Sequence, residues 1–305
     1  MASYSIRQSL GILGRTWPFI LLRLIVVAIS TMIALAFIGA CSAAGYKIGG
    51  VAAESALPGA VFGAFCGFTA YCFILYALRE YVFYLLKAAH IVAITNYLTK
   101  QPAPSGMAQI PYGIAIVRER LLESSAFFAI DQLVKSMIST AMSLLNGTIL
   151  SGARGTLGQG VNAILNMAIG TIDELVLAYI LKSNRLGAWE ATEEALTYYV
   201  QNFKLMMKKA TILALIMFAL SALAYCAGLV AMAALIFAGN ASLWSIGLSI
   251  LPLIAAWAFR RIILKPLALT CLMQIYFHLI ENQEPDPDWR QRISRFSEKW
   301  TPNLG

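Results

Sequence analysis

Six stretches of this chain stay apolar for as long as a helix needs to cross the hydrocarbon core of a bilayer: Phe19–Ala44, Leu57–Leu78, Ser124–Leu145, Val161–Leu181, Ala210–Ala238 and Leu243–Phe259. About 20 residues of helix, each rising about 1.5 Å, cover that thickness. The runs are continuous rather than alternating, which fits helical spans and not the strands of a barrel. Composition agrees. Of 305 residues, 59% are hydrophobic and 12% charged, against about 25% charged in an average soluble domain. Too few charges remain to wet a globule of this size. The sequence predicts an all-α polytopic membrane protein and excludes a soluble secreted or cytosolic enzyme. The first run, at 26 residues, exceeds the apolar region of a signal peptide and reads as a retained span.

Short connections at Gly45–Ala56, Asn146–Gly160 and Gly239–Ser242 pair the six runs into three hairpins. The basic residues give an independent test, because cytoplasmic segments collect Lys and Arg. With the N-terminus inside, the inner segments hold Arg7, Arg15 and Arg23; Arg79, Lys87, Lys100, Arg118 and Arg120; Lys182, Arg185, Lys204, Lys208 and Lys209; and Arg260, Arg261, Lys265, Arg290, Arg292, Arg295 and Lys299. Only Lys47 and Arg154 fall outside, and Lys135 lies within a span. Both termini are therefore expected in the cytoplasm, with the bacterial inner membrane the expected location. The net charge of +8 then reads as a belt facing the anionic headgroups of the inner leaflet. It does not form a basic groove interleaved with aromatics, so no nucleic-acid partner is expected.

The segments between hairpins carry helical signals of their own. In Leu186–Lys208, Trp189, Leu196, Val200, Phe203 and Met207 recur at helical spacing, opposite Glu190, Glu194, Thr197, Gln201, Lys204 and Lys208. That pattern predicts an amphipathic helix on the inner membrane surface. Tyr81–Leu98 and Pro266–Ile280 are further helical runs, expected to be interfacial or partly re-entrant, since counting either as a span would expose basic segments outside. Residues 1–281 are read as one transmembrane domain. Glu284-Pro285-Asp286-Pro287-Asp288 marks the exit of a cytoplasmic tail, 282–305, ending in a basic amphipathic helix around Trp289, Ile293, Phe296 and Trp300. A membrane surface explains that helix; a docking site on a partner, or on a second copy in a homo-oligomer, is the sharper alternative.

Chemistry concentrates in the middle hairpin. On the third span Asp131, Lys135, Ser139 and Asn146 fall within about 80° of one another on a helical wheel. On the fourth, Gln159, Asn162, Asn166, Gly170 and Asp173 do the same. Lipid-facing charge costs about 3 kcal/mol or more, so such stripes must face protein or water. Asp131 and Lys135, at i and i+4, can neutralise each other. The bland reading makes the amides interhelical glue worth about 0.6 kcal/mol per bond. The sharper one makes the stripes a hydrated path for an ion or small polar solute, with Asp131, Lys135 and Asp173 sensitive to cation or proton. The leading expectation is a transporter or channel lined by the third and fourth spans. The alternative is a non-transporting scaffold or accessory subunit whose stripes are a buried assembly surface. A lipid-acting membrane enzyme, built around His90, His278 and the Glu193 helix, ranks third.

Other signals are weak or absent. Cys41, Cys66, Cys72, Cys226 and Cys271 lie in apolar runs at no metal spacing, and no phosphate-cradling glycine loop occurs, so no metal or cofactor is expected. Gly59, Gly63 and Gly67 form overlapping Gly-x-x-x-Gly units, suited to close helix packing within the chain. Finally, Ile172-Asp173-Glu174-Leu175-Val176-Leu177-Ala178-Tyr179, followed by Trp189-Glu190-Ala191 and Gln201-Asn202-Phe203-Lys204, resembles uncharacterised prokaryotic polytopic membrane proteins. The resemblance covers Val161–Thr211. It implies a membrane hairpin feeding an interfacial helix and no particular activity.

Overall fold

The computed structural model describes residues 5–52, 56–78, 84–119, 172–183, 187–238 and 249–297. Among these the chain is helical, without strands. In order come α1 (Ile6–Arg15), α2 (Trp17–Ala52), α3 (Ala56–Leu78), α4 (Tyr84–Leu98), α5 (Gln109–Val117), α6 (Ile172–Lys182), α7 (Ala188–Gln201), α8 (Phe203–Ala238), α9 (Leu251–Phe259), α10 (Lys265–Ile280) and α11 (Pro287–Ser297). Among the described residues four stretches are long and apolar enough to cross a membrane: Trp17–Val51, Ala56–Tyr76, Phe203–Ala238 and Leu251–Ile280. They contain the first and fifth predicted runs, most of the second, and residues 251–259 of the sixth. The third run, and residues 161–171 of the fourth, lie outside the described residues.

One compact unit spans Pro18–Lys87. Its helices α2 and α3 touch backbone to backbone. A Cβ on Gly63 would overlap the Cys41 carbonyl oxygen and stand 3.2 Å from the Ser42 Cα; one on Gly59 would meet the Gly45 carbonyl and the Gly49 Cα at 3.0 Å. The expected outer loop at Gly45–Ala56 is accordingly mostly helix, since α2 continues to Ala52. Gly45 and Gly49 look like helix breakers in the sequence, but here they are contact positions. The packing they permit offsets their poor helix propensity. Tyr71 pins the pair by donating to the Ser30 carbonyl at 2.7 Å and meeting the Ser30 hydroxyl. The outer face stays apolar: Phe62, Phe65 and Phe73 are 71%, 67% and 75% exposed. A soluble surface does not carry such a row of bare aromatics, whereas hydrocarbon solvates it.

The other unit joins Met1–Trp17 to Ala88–Gly305. In it α8 buries Met206, Ala210, Leu213, Met217, Ser221 and Gly228 along one stripe and exposes Phe218, Val230 and Phe237 on the other side. It packs against α9, where Gly228 admits the Pro252 carbonyl; an added Cβ would stand 3.0 Å from that oxygen. The helix through α9 and α10 is unbroken from Leu251 to Ile280, with one wide π-turn at Arg260–Leu264. Pro266 explains the turn. Its ring lacks an N–H and collides with the carbonyl four residues back, so the backbone widens just ahead of it. The separate interfacial helix expected at Pro266–Ile280 is therefore corrected: eleven of the sixteen residues of α10 are buried. In α4, Ala88–Asn96 are buried without a gap. Both helices are apolar on nearly every face, which calls for protein on nearly every face.

The amphipathic helix expected over Leu186–Lys208 is also corrected. It divides at Asn202, where α7 ends and α8 begins. The Asn202 side chain donates to the Tyr198 carbonyl at 3.0 Å, competing with the helical ladder. Its own carbonyl accepts the Leu205 and Met206 amides at the start of α8. The expected polar face of α7 is only partly covered: Thr197 is buried, as are Thr192, Ala191, Ala195, Tyr198 and Tyr199, whereas Glu190 is exposed and Glu194 and Gln201 are half-exposed.

The tail helix forms as expected, capped by Asp286, whose Oδ1 accepts the Asp288 and Trp289 amides at 2.9 and 3.2 Å, with Pro287 in the first turn. It packs on α7 of its own chain and buries Ile293. The linker before it is clasped. Gln201 and Asn202 donate to the Gln283 side-chain oxygen at 2.8 and 2.6 Å, and the Asp286 amide donates to Gln201 at 3.0 Å. Removing this amide pair by Gln283→Ala is expected to cost about 1–2 kcal/mol locally and to free α11. Hydrogen exchange over 287–297 should rise about tenfold, as that energy implies, with α8 unchanged. Unaltered protection of α11 would show that the clasp does not hold it.

Candidate functional site

Of the six residues singled out in the sequence, Asp131, Lys135, Gln159, Asn162 and Asn166 lie outside the described residues. Asp173 is on α6, half-buried, with its Oδ1 shielded from solvent. Beyond it the helix is enclosed: Ile172 and every residue from Leu175 to Leu181 are 0–7% exposed. The sequence explains this enclosure. Ile172, Leu175, Val176, Leu177, Ala178, Ile180 and Leu181 cover the helix all round, so no face can be left to water. The neighbours of α6 are α7 and α10.

At the level of Tyr179 three tyrosines from three helices meet. Tyr179 lies 5.9 Å from Tyr198 of α7 and 6.3 Å from Tyr276 of α10, centroid to centroid, in tilted and edge-on contacts, the geometries that ring quadrupoles favour. Each hydroxyl is satisfied. Tyr179 donates to Glu194 Oε1 at 2.9 Å, Tyr276 to the Ala195 carbonyl at 3.0 Å, and Tyr198 to the Gln283 carbonyl at 3.0 Å. One turn on, the Lys182 ammonium sits 4.9 Å above the Phe277 ring, a cation–π contact. Burial raises the Tyr198 hydroxyl pKa, and the Glu194 charge raises it further; burial alone does so for Tyr199. Both phenols are held as neutral donors.

Sequence reasoning placed Glu194 on the solvent side of an interfacial helix; the structure turns it toward Tyr179. It passed over the tyrosines altogether. Glu194 and Tyr198, four apart on one helix face, were a legible local signal. The Tyr179–Tyr276 contact joins residues almost a hundred positions apart and left none.

A second polar group ties α1 to α4 and α5. The Thr16 hydroxyl donates to the Leu13 carbonyl at 3.2 Å and stands 3.1 Å from His90 Nε2. Gln109 donates to the Arg15 carbonyl at 3.0 Å and to the Tyr97 hydroxyl at 3.2 Å. His90 is 1% exposed, whereas His278 is 61% exposed and stands 3.7 Å from Glu281. The two histidines thus sit in opposite environments. Among the described residues no three His, Cys, Asp or Glu side chains stand where they could share a metal ion.

The chain matches no family model, and no curated protein or solved structure matches it.

Proposed function

We propose that this is a multi-pass membrane protein that moves an ion or small polar solute, along a path lined by the third and fourth spans, with Asp173 as its charged group. The observation that carries the reading is Asp173, half-buried with its Oδ1 shielded, at the head of a helix whose Leu175–Leu181 stretch protein encloses. An ionisable side chain in such a place is costly, and the cost is tolerated where the group serves a path or relay. In this reading both termini face the cytoplasm of a bacterial inner membrane. The exposed Arg290, Arg292 and Arg295 of α11 meet anionic headgroups there.

A second reading has an observation of its own. The tight packing of Leu175–Leu181 is what a scaffold or accessory subunit would need, with the polar stripes as a sealed assembly surface. Reconstitution separates the two. Vesicles containing the purified protein, loaded with protons, monovalent cations or small osmolytes in turn, should leak at least one of them in a protein-dependent way. Tight vesicles under every gradient would favour the scaffold.

A further inference from the structure

We propose that Trp257, Arg261 and Lys265 form a binding site for the phosphate of an anionic phospholipid. The site does not depend on whether the protein transports anything. In a straight α-helix, residues four apart drift by about 40° around the axis, so these three would spread over about 80°. The wide π-turn at Arg260–Leu264 takes back part of that drift and brings them onto one side. All three are exposed there. Arg261 and Lys265 are about 6 Å apart along the axis, close enough for both side chains to reach one phosphate.

The guanidinium is held ready for it. Arg261 lies 5.2 Å above the Trp257 ring, a contact that steadies its plane, and its fork of N–H groups matches phosphate oxygens. The surface also changes character at this row. Before it Ile250, Leu251, Trp257 and Phe259 are exposed, whereas after it α10 exposes no large apolar side chain. The bare apolar surface of this helix thus ends where the cations stand. An exposed cation against hydrocarbon is costly, and an anionic headgroup is what relieves that cost. A free phosphate would meet the cations and leave Trp257 and Phe259 bare. A phospholipid covers both, so the occupant is a lipid.

Trp257 itself reports occupancy. The other five tryptophans are replaced by phenylalanine, and the protein is placed in phosphatidylcholine vesicles containing brominated phosphatidylglycerol or, at equal mole fraction, brominated phosphatidylcholine. The anionic lipid should quench Trp257 at the lower mole fraction, and Arg261→Gln should cut that preference about fivefold, the factor that one cation near a headgroup supplies. Adding Lys265→Gln should abolish it. Lys208→Gln, an exposed cation on α8, should leave it intact. The chain with all its tryptophans gives a second readout in detergent. Phosphatidylglycerol should raise its melting temperature more than phosphatidylcholine does, and Arg261→Gln should remove the difference. Equal quenching by the two lipids would overturn the site. So would an equal loss in Arg261→Gln and Lys208→Gln, which would reduce it to general charge attraction. Reversal of the preference by soluble glycerol phosphate would overturn the lipid as occupant.

Discussion

Replacing Asp173 by asparagine is expected to abolish the ion- or pH-dependent flux while leaving the protein folded. Asparagine keeps the shape of the side chain, removes its charge and exchanges one acceptor oxygen for a donating NH2. Asp173 is half-buried and its Oδ1 is shielded, so the substitution should shift stability by no more than about 1 kcal/mol, the usual scale for a near-isosteric change. If the carboxylate holds the permeating cation or relays a proton, the neutral amide cannot, and Glu174 beside it points about 100° away around the helix. Flux in vesicles and thermal melting of the same preparation measure the two effects. A variant that melts like the parent and transports like it would remove Asp173 from the path.

The second large effect concerns folding. Gly63→Leu is expected to part α2 from α3. Even alanine would place its Cβ on the Cys41 carbonyl oxygen, and both neighbouring contacts are backbone, which cannot rotate aside. Overpacking of this kind costs about 1–3 kcal/mol where side chains can yield; against a carbonyl the upper end applies. The melting temperature should fall by several degrees or more for that loss, with reduced recovery from membranes. Gly39→Leu on the same helix pair is the control, since nothing lies within 4 Å of a Cβ built there. Equal behaviour of the two variants would mean that the close approach contributes little to stability.

What the sequence revealed follows from which signals are local. Long apolar runs identify α2, α3, α8 and α9 because length and hydrophobicity are properties of a single segment. Their ends were misjudged where one residue type serves two purposes. Gly45 and Gly49 read as a loop but are contact points. Arg260, Arg261 and Lys265 read as the end of a span, yet the helix runs through them to Ile280. Charges do not stop a helix; the absence of backbone partners or a cap does. Thr197, expected on the wet face of α7, is buried, because threonine can satisfy its hydroxyl within its own helix, here by donating to the Glu193 carbonyl at 2.8 Å. Asp173 stood out as a charge amid apolar residues. The tyrosine layer did not, since its members come from helices that only tertiary packing brings together.

The most direct test is water access along the fourth span. Single cysteines at Asn162, Asn166 and Asp173, in a chain cleared of its native cysteines, are exposed to an impermeant thiol reagent from each side of the membrane, with Phe218→Cys on the exposed face of α8 as reference. A hydrophilic stripe lining a path predicts that all three label from one side or the other while position 218, surrounded by acyl chains, does not. Three sites as silent as position 218 would contradict the account and leave a sealed bundle in its place.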